Sequence, residues 1–141
     1  MNTIRIALVL VGISAYQLTA YGAPKKVSWR NHALTEGRTL ASLPKEVKDA
    51  ASSGGSIADR GENFNATDVV DGKSPMRRFI VAGIDESSVL VALEHGGRGY
   101  SIEAFEFVNM EGKWTEANRW TFFKKPRNLR DLVNLIETVK K

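Results

Sequence analysis

The chain has 141 residues, a formal net charge of +4 and no cysteine. That is enough for one domain with its own core and too little for two. The missing cysteines exclude disulfide bracing, a thiol nucleophile and a cysteine-held metal. The small basic surplus is dispersed over pairs such as Lys25-Lys26, Arg77-Arg78, Lys124-Lys125 and Lys140-Lys141, whereas nucleic-acid binding wants a concentrated basic face.

Residues 1–22 predict a secretory signal peptide. Arg5 precedes the uncharged apolar run Ile6–Tyr16, and small residues follow in "TAYGAP". This is the basic, apolar and small-residue order of such peptides. The run falls short of the roughly 20 apolar residues of a membrane span. Cleavage after Gly22 places Ala20 and Gly22 where small residues are wanted. It leaves residues 23–141 as a single globular domain with no stable membrane anchor. An exported domain without cysteine depends on its core alone, which points to a bacterial periplasmic or secreted protein.

Residues 23–41 carry only isolated apolar residues, Val27, Trp29 and Leu34, and read as a loop or an edge strand. Residues 42–52, "SLPKEVKDAAS", predict a short helix with an apolar stripe of Leu43, Val47, Ala50 and Ala51, stopped by Gly54-Gly55. Residues 53–75 are rich in Gly, Asn, Asp and Ser and predict a long loop. The segments 76–84, 88–94, 100–109 and 113–123 are β-branched and aromatic, with turn signals at Asp85-Glu86, 95–99 and Glu111-Gly112. Short connections imply antiparallel neighbours. Residues 128–140 predict a closing helix, with Asn128 as cap and Leu129, Leu132, Val133, Ile136 and Val139 on one face. The expected fold is therefore α+β: a four-stranded antiparallel β-meander over about 76–123, packed with helices over about 42–52 and 128–140.

Turn lengths predict a register that sorts the strands into two faces. An aromatic face collects Ile80, Ala82, Val89, Val91, Leu93, Phe105, Phe107, Trp114, Trp120 and Phe122. A mixed face collects Phe79, Val81, Leu90, Ala92, Tyr100, Ile102, Ala104 and Val108, with Arg119. The aromatic row reads as core beside an amphipathic helix rather than as a stacking platform.

The residues that could carry function gather around "EHGGRGYS", residues 94–101. Glu94, His95, Arg98 and Tyr100, with Glu103 on the next strand, offer an acid, an imidazole and a guanidinium. A small exported ribonuclease uses such a set: a base for a hydroxyl proton, histidine for the leaving oxygen, arginine for the phosphorane. Against this, Gly96, Gly97 and Gly99 are what a hairpin loop requires, and a bare loop tip has no walls to exclude water. A serine set of Ser87, Ser88 or Ser101 with His95 or His32 lacks the nucleophile-elbow pattern. The acidic loop 59–72 does not match a calcium loop, and its Asn and Asp read as turn formers. Two histidines and no cysteine predict no metal site, and no cofactor is expected.

The expected function is a small exported, non-enzymatic binding protein. It grips a protein partner with the 95–100 hairpin, the mixed sheet face and the 59–75 loop, through Glu94, His95, Arg98, Tyr100, Glu103 and Arg119, in an inhibitor or immunity-type role. The alternatives are a ribonuclease-like hydrolase centred on His95 and a structural subunit of an envelope assembly. The expected architecture is similar to that of periplasmic lysozyme inhibitors of the vertebrate-lysozyme type, which also present a histidine-bearing loop from an antiparallel sheet. This chain lacks the paired cysteines that brace the loop there.

Overall fold

The computed structural model describes residues 24–69 and 71–139. The expected signal peptide, residues 1–22, lies outside the described residues, as do Lys140 and Lys141 at the end of the expected closing helix. In chain order the elements are β1 (Lys26–Trp29), β2 (His32–Gly37), α1 (Lys45–Ser52), β3 (Ile57–Ala58), β4 (Arg77–Ile84), β5 (Ser88–His95), β6 (Ser101–Met110), β7 (Lys113–Phe122) and α2 (Leu129–Val139). A single 3-10 turn, Leu40–Ser42, precedes α1.

The expected strands are β4 to β7, and both expected helices form. The expected strand number is corrected: the sheet has seven strands, not four, in the order β1-β2-β4-β5-β6-β7, with β3 also on β4. Two of the added strands, β1 and β2, come from the segment that reads as a loop or an edge strand, and β3 comes from the expected long loop. The β1–β2 hairpin pairs antiparallel with β4 through Thr35–Gly37 against Ala82–Ile84. β3 pairs parallel with Arg77-Arg78. These strands escape sequence detection for a simple reason. β1 buries only Val27 and Trp29, and β2 buries one large apolar side chain, Leu34. Alternation over so few residues does not rise above the polar background. Their turn also hides: Arg30 takes a left-handed φ of 51°, a conformation usually signalled by Gly, Asn or Asp.

Every residue of β5 from Ser88 to Glu94 is buried, because a helix lies over each face of the sheet. On one face α1 contributes Val47 and Ala51, packed with Leu43, Phe79, Ala82, Val89, Val91, Leu93, Phe105 and Phe107. On the other, α2 contributes Leu129, Leu132, Val133 and Ile136, packed with Trp29, Leu34, Ile80, Val81, Leu90, Ile102 and Phe122. Asn128 Oδ1 accepts from Asp131 N at 2.9 Å and so caps α2 as expected. The stripe of α2 is as expected except at its end, where Val139 is exposed. Burying each large aliphatic side chain of this stripe is worth roughly 1.5–3 kcal/mol.

The expected sorting into faces is corrected at two bulges. In β4 the register shifts between Phe79 and Val81. This moves Ile80 to the α2 face and turns Phe79 to the α1 face. Between β6 and β7 it shifts at Glu106 and Phe107, so Phe105 faces Arg119 and Ala104 faces Trp120. Trp120 and Phe122 therefore leave the aromatic face, and Arg119 joins it. The two hairpins flanking β5 are each shifted by two residues from the expected register, for example Val89 opposite Phe107 rather than Phe105. A two-residue shift preserves the face, which is why the remaining sorting holds. The Glu111-Gly112 turn forms as expected, with φ of 54° and 83°, the left-handed pair a two-residue hairpin wants.

Replacing Ile136, fully buried under α2, by Ala is expected to lower the unfolding free energy by about 2–4 kcal/mol in urea titrations. Val139→Ala in the same helix is expected to cost less than about 0.5 kcal/mol. Equal losses at the two positions would refute the packing of α2 on the sheet.

Candidate functional site

The residues proposed from sequence fall on two sides of the sheet. Successive strand residues point to opposite faces. Glu94 therefore turns to the α2 side and His95 to the α1 side, where His95 is paired with Arg77. The adjacent arginines Arg77 and Arg78 divide in the same way. Arg78 Nε donates to Glu94 Oε2 at 2.6 Å on one side, and Arg77 donates to Glu103 Oε2 at 3.1 Å and to the Ala51 carbonyl at 3.2 Å on the other.

Glu94 is the centre of the first group. Its carboxylate is 4 % exposed and accepts from Arg78, from the Tyr100 hydroxyl at 2.7 Å and from Lys125 Nζ at 3.0 Å. Burial opposes its ionisation, but these three donors outweigh burial and hold the pKa down at about 2. Burial and the bond to Glu94 push the Tyr100 phenol up to about 12, so it stays a donor throughout the neutral range. Arg78 extends the group further: it donates to the Glu62 carbonyl at 3.0 Å, and its guanidinium lies 4.3 Å over the Phe64 ring. One buried carboxylate thus ties together β4, β5, the hairpin, the segment after β7 and the long 59–76 loop.

That loop is more ordered than its composition suggests. Its Asn and Asp side chains are turn formers, as expected: Asn65 Oδ1 accepts from Thr67 N at 2.9 Å, and Asp71 Oδ1 accepts from Lys73 N and Ser74 N at 2.9 Å. Asn65 N donates to the Pro75 carbonyl across the loop's own ends, and Gly96 N of the hairpin donates to the Met76 carbonyl where the loop enters β4, both at 2.8 Å. Gly96 is required for this approach, since a Cβ there would sit within the space of the Asn65 carbonyl oxygen. Only beyond Gly96 does the tip need left-handed backbone, with φ of 115° at Gly97 and 100° at Gly99.

What stands free at this tip is specific. Arg98 is exposed and Tyr100 is 39 % exposed. Arg98 makes no ion pair among the described residues. His95 lines an open cleft of about 320 Å³ with Ser56, Lys73, Ser74, Met76 and Arg77, between the end of α1, the 72–76 segment and the start of β4.

Glu103 belongs to the α1 side of the sheet with Arg77. Arg119 stands apart from the hairpin. It lies 4.6 Å over the Phe105 ring and makes two 3.0 Å bonds to Glu116. The mixed sheet face, expected to join in partner binding, is covered by α2.

Of the set that a ribonuclease mechanism uses, Glu94 is on the other face from His95, and a carboxylate held near a pKa of about 2 is a poor base, whereas Glu103 and Arg77 share the face of His95. The serine set forms no hydrogen-bonded pair. His32 Nδ1 lies 2.8 Å from Asp85 Oδ2, but Asp85 is occupied in folding the β4–β5 turn, accepting from Ser87 N and Ser88 N at 2.8 and 2.6 Å. Among the described residues no hydroxyl of Ser87, Ser88 or Ser101 bonds His32 or His95, although Ser101 stands opposite His95 across β5 and β6. Among the described residues, too, no group of three His, Cys, Asp or Glu residues could hold a metal, and no helix is long and apolar enough to cross a membrane.

Sequence reasoning missed Arg78 and Lys125 around Glu94, and Arg77 beside His95. The paired arginines at a strand start were a usable signal, because alternation must send one to each face. Lys125 had none, since it arrives from the far end of β7. A second buried carboxylate, Glu106, was also missed; it accepts from Trp29 Nε1 at 2.9 Å and Asn118 at 2.6 Å and pairs with Arg30 at 3.0 Å.

No protein-family model, curated protein or solved structure matches this chain. The likeness to periplasmic lysozyme inhibitors rested on a four-stranded meander, and the seven-stranded sheet removes that basis.

Two outcomes are expected. Glu94→Gln removes the buried counter-charge of half-buried Arg78 and exposed Lys125 and should cost about 1–3 kcal/mol at neutral pH in urea titrations. Because the folded pKa lies below the unfolded one, the wild-type advantage is complete above pH 4.5 and fades as pH falls toward about 2. A difference independent of pH would contradict the ionised hub. Gly96→Ala should detach the loop from the hairpin, seen as faster amide hydrogen exchange at Asn65 and Gly96 and a loss of about 1–3 kcal/mol. Unchanged exchange at both amides would contradict the docking.

Proposed function

We propose that the chain is a small exported, non-enzymatic protein that binds another protein through the 95–100 hairpin and the adjoining 59–75 loop. In its concrete form it is an inhibitor of, or immunity factor against, an enzyme of the cell envelope. One observation carries this reading: the hairpin is fastened from beneath, by Glu94 and by the docked loop, while Arg98 at its tip is exposed and uncommitted. A braced tip loses little conformational entropy on association. Arg and Tyr are residue types that anchor interfaces, and here Tyr100 presents part of its ring beside Arg98. Arg119, distant from the tip and bonded to Glu116, is left out of this surface.

The test is capture of a partner from periplasmic extract with the purified protein as bait, followed by measured affinity. Arg98→Ala is expected to weaken the complex by about tenfold or more, and Arg119→Ala to leave it unchanged. A wild-type bait that recovers no saturable partner, or an Arg98→Ala variant that binds as well, sinks the reading. RNA cleavage between about pH 5 and 8 that His95→Ala abolishes would replace it with a hydrolase.

A further inference from the structure

The fold gathers basic residues that the sequence disperses. At the edge of the sheet away from the hairpin, Lys25 and Lys26 before and in β1, Arg38 after β2, and Asn128 and Arg130 at the start of α2 line a cleft of about 410 Å³. These residues are separated by up to about a hundred positions in the chain, so no local charge run announces them. Four cations therefore meet in one concavity, in a chain whose whole formal surplus is four.

The one carboxylate in that lining, Glu36, is paired with Arg38 and leaves the other three cations uncompensated. Its side chain is 6 % exposed, and both oxygens are engaged: Oε1 accepts from Arg38 Nε at 2.7 Å and Oε2 from Leu129 N at 3.1 Å. Elsewhere in the fold the inward-facing cations have carboxylate partners, as Arg77 has Glu103 and Arg78 and Lys125 share Glu94. Lys26 and Arg130 have none among the described residues, and Lys25 acts on Glu36 through its charge without an ion pair. The cleft also lies at the amino end of the eleven-residue α2, the positive end of the helix dipole. There Leu129 N is taken by Glu36, Asp131 N by Asn128 Oδ1 and Leu132 N by the Asn128 carbonyl.

We infer that this cleft binds a multiply charged oxyanion, a phosphate- or carboxylate-bearing small ligand held by Lys25, Lys26, Arg38 and Arg130. The volume falls in the range of small-molecule sites, about 300–1,000 Å³. A concavity with its cations on the walls suits a compact anion better than a flat anionic surface or an extended strand. The site shares no residue with the hairpin, so its fate is independent of the proposed protein-binding role.

The purified protein is titrated with inorganic pyrophosphate and, separately, with citrate, by calorimetry at low and moderate salt. Saturable one-to-one binding of either is expected, weakening as salt rises because the interaction is electrostatic. Tighter pyrophosphate binding assigns phosphate, and tighter citrate binding assigns carboxylate. Lys26→Ala combined with Arg130→Ala, both exposed and without ion pairs, should weaken binding by about tenfold or more, while Glu36→Gln should tighten it about two- to fivefold by removing the opposing charge. Arg98→Ala should change nothing. Absence of saturable binding to both probes, indifference to the double substitution, or binding of a single-stranded oligonucleotide without either small anion would overturn the inference.

Discussion

The structure depends on the burial of β5 from both sides. A strand with no solvent-facing residue from Ser88 to Glu94 cannot exist in a one-layer arrangement. It demands a helix on each face and neighbours on each edge. That demand explains why α1 and α2 lie on opposite faces, and why β4 and β6 carry the next largest apolar load. It also explains why the strand's last buried residue can be a carboxylate. Glu94 sits where the apolar layer ends, and its ionisation is tolerated only because Arg78, Tyr100 and Lys125 converge on it.

That convergence links stability to the tip beyond it. The same carboxylate that closes the end of the core holds Tyr100 at the base of the hairpin, and Arg78 relays the hold to the loop containing Phe64. The tip is thus fixed by polar contacts beneath it, without a disulfide. The resulting division of labour is clear along the 94–100 segment: Glu94 is structural, Gly96 is a packing glycine, and Arg98 is free for contact.

Much of this was legible from the residues alone. The β-branched and aromatic runs marked β4 to β7, the 3.6-residue spacing marked α2, and Glu111-Gly112 marked its own turn. The rest was not, for identifiable reasons. Val27, Trp29 and Leu34 are too sparse to announce β1 and β2. Bulges at Ile80 and Ala117 leave no mark in residue type, yet each exchanges the faces of everything beyond it, carrying Phe79, Trp120 and Arg119 to sides that regular alternation denies them. The candidate site suffered most from this alternation: Glu94 and His95 are adjacent in the chain and separated by the sheet.

By itself, then, the sequence determined the α+β composition, the two helices, the four long strands and the glycine-dependent hairpin, because these rest on local periodicity and turn chemistry. Only the tertiary structure decided that seven strands share the sheet among the described residues, that Glu94 is a buried hub, and that Lys25, Lys26, Arg38 and Arg130 meet in one cleft. Those outcomes depend on which distant segments pack together, and long-range packing is set by the whole core rather than by any window of the chain.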